Sequence, residues 1–315
     1  MQPAALSMYK RLIMATLRLG ILAIAFIVLL AAAGNLASPP ELTARFTPEQ
    51  QVQAAAVLPL VGLIMSSCLS YLALRSRWHG WRLAGALFII LYGIYTFLSQ
   101  IETAVFPAIA DQLPEGTLRG FFVSGLALAV PFSLLAVWIL KKTRKDPSIS
   151  EARQRLRIPA GEWVWKLGAA AILYVIVYFT FGYYVAWRTP GLPEFYGGSD
   201  PGSFLAQLGN VMRDTPWLPF FQIPRGLVWA AIGCLIISMH RGKPWELALA
   251  VGLTFATLIS SGLLFPNPFM PPAIARGHAL ELSSSMVVYG ILLTILMLWK
   301  PAGPVPAAKE APHAH

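Results

Sequence analysis

Charged side chains are scarce in this sequence: Asp, Glu, Lys and Arg make up 12% of its 315 residues, about half the share a soluble domain carries. So little charge cannot cover a water-facing surface. With 57% hydrophobic residues and a mean hydropathy of +0.62, the chain reads as a polytopic membrane protein with no room for a separate globular domain. Cysteine is nearly absent. Cys68 and Cys234 both lie inside apolar runs, where a thiol behaves as a small hydrophobe, so they give no disulfide framework. Signatures of bound groups are missing too: there is no glycine-rich phosphate loop, no nucleophile elbow and no histidine pair placed for haem, so no cofactor is expected.

What the sequence has in abundance is long apolar runs. Eight stretches of about 20 residues occur, near 19–37, 52–74, 83–101, 120–140, 167–187, 219–239, 247–265 and 277–299. Unpaired backbone amides are too costly in lipid, and these runs do not alternate as barrel strands would, so each is expected to be helical. The first run, with Lys10, Arg11 and Arg18 before it and "AAAGNLA" after it, also has the pattern of a signal peptide. The internal repeat described below favours its retention as a span.

The formal charge of +10 is distributed by topology. If the N-terminus is cytoplasmic, 18 of the 24 Lys and Arg fall on the inside, whereas nine of the 14 acids fall at or beyond the outer face. The positive-inside rule then puts both termini in the cytoplasm of a bacterial-type inner membrane. The bilayer alone accounts for the basic residues, including those of "KKTRKDPSISEARQRLR", so no nucleic-acid partner is expected.

The two halves resemble each other in order. "RLGIL" at Arg18 and "KLGAA" at Lys166 open the first span of each, and Thr47-Pro48 and Thr215-Pro216 open the second. "RWHGW" at Arg77 matches "RGKPW" at Arg241, and "LPEGTLRG" at Leu113 matches "MPPAIARG" at Met270. Four spans per half is an even number, so the halves would point the same way, related by an axis along the membrane normal. The expected organisation is a first half over 1–145, a basic cytoplasmic linker over 146–165, a second half over 166–300 and a disordered Pro/Ala-rich tail over 301–315. Thr47-Pro48-Glu49-Gln50 has the chemistry of a capping box. In the outer loop, "DPGSFLAQLGNVMRD" predicts an interfacial helix near 200–214, with Asp200 as its cap and Pro201 at its first position. The fold class is therefore all-α: an eight-span bundle of two four-helix parallel repeats plus one interfacial helix.

The polar residues inside this apolar framework mark the candidate site. At 100° per residue, about one 80° stripe of the last span holds His278, Glu281, Ser285 and Tyr289, with Arg276 pointing elsewhere. Gln100 and Glu102 end the third span, Arg119 opens the fourth, and Gln222 and Arg225 lie in the sixth. Arg225 precedes His240 by fifteen residues, about 22 Å of helix in a core about 30 Å thick, so it is submerged. A guanidinium there calls for a counter-ion, either Glu281 or Glu102. One histidine with scattered carboxylates falls short of a zinc signature, and no metal is expected.

Three functional readings follow. One is a small-solute or ion-coupled transporter with an outer-leaflet pocket, where Arg225 holds an anionic group and Glu281, His278 and Glu102 bind cations or relay protons. Another is a membrane enzyme acting on a lipid-linked or periplasmic substrate, with His278 or Glu281 as base and Arg225 or Arg119 as anion holder. The third is an accessory or scaffold subunit whose charges only lock the helices. Beyond the bilayer, the partner expected is a small polar or anionic solute or a lipid headgroup.

Overall fold

A computed structural model describes residues 3–145, 156 and 158–300. Most of the expected basic linker and all of the expected tail, 146–155, 157 and 301–315, lie outside the described residues. Among the described residues the regular elements are helices, and eight are long and apolar enough to cross a membrane. They are α1 (Pro3–Ala37), α2 (Pro48–Leu74), α3 (Gly80–Val105), α4 (Thr117–Ile139), α5 (Ala160–Tyr184), α6 (Trp217–Met239), α7 (Pro244–Ser260) and α8 (Pro272–Leu298). Each covers most of one expected run and begins before it, because backbone hydrogen bonding continues past the apolar stretch into the capping residues, while four of the runs extend one to five residues beyond the helix end. The chain is a multi-pass membrane protein.

The helix starts follow local chemistry. At α2 the Thr47 side chain accepts from the Gln50 N–H at 3.2 Å, while Gln50 Oε1 accepts from the Thr47 N–H at 3.0 Å. Both halves of the capping box are thus present. The helix expected near 200–214 runs from Phe204 to Asp214, and here the sequence expectation needs correcting. Ser203 caps it, accepting from the Ala206 N–H at 3.2 Å, while Asp200 accepts from the Gly202 N–H at 2.9 Å. The short Asx turn keeps Asp200 and Pro201 outside the helix.

Packing divides the helices into two groups. In the first, α1 lies against α2 and α4, and α3 against α4; in the second, α5 lies against α6 and α8, and α7 against α8. The groups meet where α2 touches α7 and α3 touches α6 and α7. Lipid tails are as apolar as the side chains, so close fit rather than water exclusion holds such helices together. Phe26 of α1 meets Phe132 of α4 edge-on at 5.0 Å, and Trp229 of α6 lies 4.7 Å from Phe255 of α7. The backbones of α7 and α8 approach closely, so that a Cβ on Gly290 would sit 2.5 Å from the Cα of Gly252. Outward-facing Ile24, Leu60, Val130, Ile176, Leu253 and Ile295 are exposed all around the bundle, a surface suited to lipid and not to water.

At one end, which carries the 75–79 and 240–243 connections and is called the basic end here, the groups are also joined through the backbone. The Arg77 N–H donates to Met239 O at 2.8 Å, and the Arg241 N–H donates to Arg75 O at 3.0 Å. Arg75 and Glu246 form an ion pair at 2.5 Å beside them, which raises the arginine's pKa. The opposite, distal end holds the helix Phe204–Asp214 and the polar residues considered next.

Candidate functional site

Arg225 is 2% exposed, one turn into the distal half of α6. Its neighbour Pro224 has no N–H to give to the preceding turn. Across the group boundary, α3 changes character over Tyr92–Leu98, where one π-helical stretch interrupts the α-helix. Such stretches disturb the regular pairing of backbone carbonyls. At its end the carbonyl of Leu98 accepts from Arg225 Nη2 at 3.2 Å. Glu102, one turn further on, accepts from the same nitrogen at 2.7 Å, and Gln222 Oε1 accepts from Nη1 at 2.8 Å. The rings of Phe221 and Tyr174 lie 5.7 and 5.9 Å from the guanidinium carbon. Of the two expected counter-ions, Glu102 is the one in contact. Its side chain is 26% exposed, so the pair is buried on the arginine side only.

A second polar group adjoins the first. Glu281 of α8 is buried; its Oε1 accepts from Ser285 Oγ at 3.4 Å, and its Oε2 lies 3.9 Å from His278 Nδ1. His278 remains 19% exposed, and its Nε2 shares a 2.9 Å hydrogen bond with the Tyr196 hydroxyl. Which of the two donates depends on the imidazole tautomer. Burial pushes the Tyr196 phenol well above its ordinary pKa, and the carboxylates of Glu102 and Glu281 push it the same way. The Tyr196 ring stacks on Trp187 and meets Phe106 edge-on, and Phe106 in turn packs near Trp217. These aromatics pack around Tyr196.

The stripe read from α8 thus divides by depth. His278, Glu281 and Ser285 belong to the cluster, whereas Tyr289 lies deeper and donates to the carbonyls of Ala170 and Gly226, each at 3.3 Å, tying α8 to α5 and α6. Arg119 and Arg276 are exposed in the first turns of α4 and α8, outside the hydrogen-bonded group. Gln100 points away from Arg225, toward a cavity between the helices of the first group, and its buried Oε1 has no protein partner among the described residues. Sequence reasoning missed Tyr196, Phe106 and the carbonyl of Leu98. "GLPEFYGG" reads only as a turn-rich loop, and nothing in "YGIYTFL" announces a π-helical stretch.

Among the described residues no three His, Cys, Asp or Glu side chains are grouped to hold a metal ion. Chemically, the cluster offers a guanidinium, two carboxyls, an imidazole and a phenol, of which Glu102 and His278 are partly exposed. Comparison with known protein families, with curated proteins and with solved structures finds no match to this chain.

Proposed function

We propose that this chain is a solute transporter of a bacterial-type inner membrane, with both termini inside, and that its distal cluster binds a small anionic solute together with a proton or cation. One observation carries this reading. Arg225 and Glu102 neutralise each other, which leaves Glu281 as a buried carboxyl whose facing basic group is His278, 3.9 Å away. The four groups sum to zero charge only when the His278–Glu281 pair holds one proton. Without it, a surplus negative charge sits in a poorly solvated place, where Coulomb energies are several times those in water. A lock needs only the arginine and its partner, whereas this surplus acid suits the uptake of a coupling ion.

In the proposed cycle, the anionic group of the solute replaces Glu102 on the guanidinium, and Glu102, already partly exposed, turns toward water. The cycle takes the chain as two parallel four-span halves, a reading that one symmetry of contacts supports. Each half supplies the same donor and acceptor to the backbone pairing at the basic end: Arg77 and Arg75 from one, Arg241 and Met239 from the other. The helix Phe204–Asp214, with an exposed Leu205 and Met212, would lie along the outer interface.

The test is uptake into proteoliposomes under an inward proton gradient, screening labelled small carboxylates, amino acids and phosphate esters. At least one should accumulate. Arg225→Lys, which loses the two-pronged grip, should abolish that uptake, and Glu281→Gln should allow equilibration without accumulation. Absence of flux for every solute, or flux unchanged in both variants, would overturn the proposal. A loss of thermal stability as the sole effect of Arg225→Ala would return the cluster to the role of a lock.

A further inference from the structure

At the basic end, the start of α3 and the chain leaving α4 are held against each other. The Gly80 N–H donates to Lys142 O at 2.8 Å, and Lys142 Nζ donates to Ser76 O at 2.9 Å. These bonds bring Arg82 and Lys141, both exposed, to one edge of the first helix group. The Arg82 guanidinium lies 3.9 Å from the centre of the Trp78 ring, a cation–π contact. Lys141 is the one non-glycine among the described residues with a left-handed backbone, φ 57°. It follows the C-cap of α4: its N–H donates to Trp138 O at 3.1 Å and the Lys142 N–H to Val137 O at 2.9 Å, the pair of bonds that usually turns on glycine. A lysine there carries a steric cost that glycine would avoid. Among the described residues the acids at this end are Glu162 and Glu246, and they are paired with Lys166 and Arg75.

The surface leading away from this edge is apolar. Along α4, Val123, Leu126, Val130, Leu134 and Trp138 are exposed at intervals of three and four residues, and Lys141 is the next position in the series. On α3, Trp81 is 82% exposed, and exposed Gly85 and Ile89 follow it at intervals of four. Indoles on a lipid-facing surface sit at headgroup level. Trp81 and Trp138 mark that level beside Arg82 and three residues before Lys141.

We infer that this edge is a binding site for an anionic phospholipid, with the phosphate against Arg82 and Lys141 and an acyl chain along the exposed apolar faces of α3 and α4. The arginine offers a phosphate two parallel N–H donors and the lysine a point charge. A zwitterionic lipid brings its own cation to the same edge and gains less, and a water-borne phosphate has no chain for the apolar faces. The inference does not rest on the reading of the Arg225 cluster, which lies at the opposite end.

The full chain in detergent should bind phosphatidylglycerol carrying a fluorescent acyl chain about tenfold more tightly than phosphatidylcholine with the same label. Lys141→Gly should weaken phosphatidylglycerol binding about fivefold while raising the unfolding temperature of the lipid-free protein, because glycine relieves the left-handed backbone. Arg82→Gln should weaken binding by a similar factor. Lys243→Gln removes the same charge from the same end but from the second helix group, and should change binding less than about twofold. Equal binding of the two lipids, undiminished binding in either the Lys141 or the Arg82 variant, or an equal loss in Lys243→Gln would overturn the inference, the last by reducing the site to general positive charge. Glycerol 3-phosphate competing as well as the lipid would assign the edge to a water-borne phosphate and overturn it too.

Discussion

At the scale of single residues, the Arg225–Glu102 pair is lopsided, and the lopsidedness can be measured. Removing one partner of a buried ion pair costs about 3–5 kcal/mol, because the other charge is left uncompensated. The two removals are not equivalent here. Glu102→Gln strands a guanidinium that is 2% exposed, whereas Arg225→Met strands a carboxylate whose side chain is 26% exposed and can be hydrated from the distal end. We expect Glu102→Gln to destabilise by about 3 kcal/mol and Arg225→Met by roughly half of that, with the double variant well short of the sum. Thermal unfolding of all four proteins in one detergent gives the cycle; additive effects would show that the two side chains are not paired.

At the scale of elements, two changes separate local chemistry from packing. Thr47→Ala removes an exposed capping box and should cost about 1 kcal/mol. Gly290→Ala places a methyl group 2.5 Å from the backbone of Gly252, where neither helix can yield without separating, so a loss of about 2–3 kcal/mol is expected. Gly168→Ala in α5 is the control. Its Cβ would meet nothing within 4 Å, so a better helix former there should be neutral or stabilising by up to about 1 kcal/mol. Comparing the unfolding midpoints tests all three, and an unaffected Gly290 variant would contradict the α7–α8 contact.

The same contrast explains which elements could be read in advance. The eight spans and the Thr47 cap depend on neighbours in sequence, so hydropathy and the threonine–glutamine spacing reveal them. Asp200 and Ser203 are both good caps three residues apart, and only the turn at Gly202 decides between them. The stripe of His278, Glu281 and Ser285 was legible from helical period. The choice of Glu102 over Glu281 as partner for Arg225 was not, since it depends on how α3 meets α6. Tyr196 reaches His278 from a connection with no periodic pattern, so no spacing rule could have found it.

At the scale of the whole molecule, the distribution of charge along the chain makes a claim about orientation that the helices by themselves do not. The connections at 75–79 and 240–243 are rich in Lys and Arg, as is the sequence after α4, while the distal connections are short of them. Basic residues resist translocation, so the distal end should face outward, and the Arg225 cluster should lie nearer the outer face. Single cysteines can decide this. In a background with Cys68 and Cys234 replaced by alanine, Ala206→Cys on the exposed side of the distal helix and Thr143→Cys beyond α4 place thiols at opposite ends. A membrane-impermeant maleimide applied to intact cells should label position 206 and spare position 143 until the membrane is permeabilised. The reverse pattern would invert the molecule, and the Arg225 cluster would then lie toward the cytoplasm.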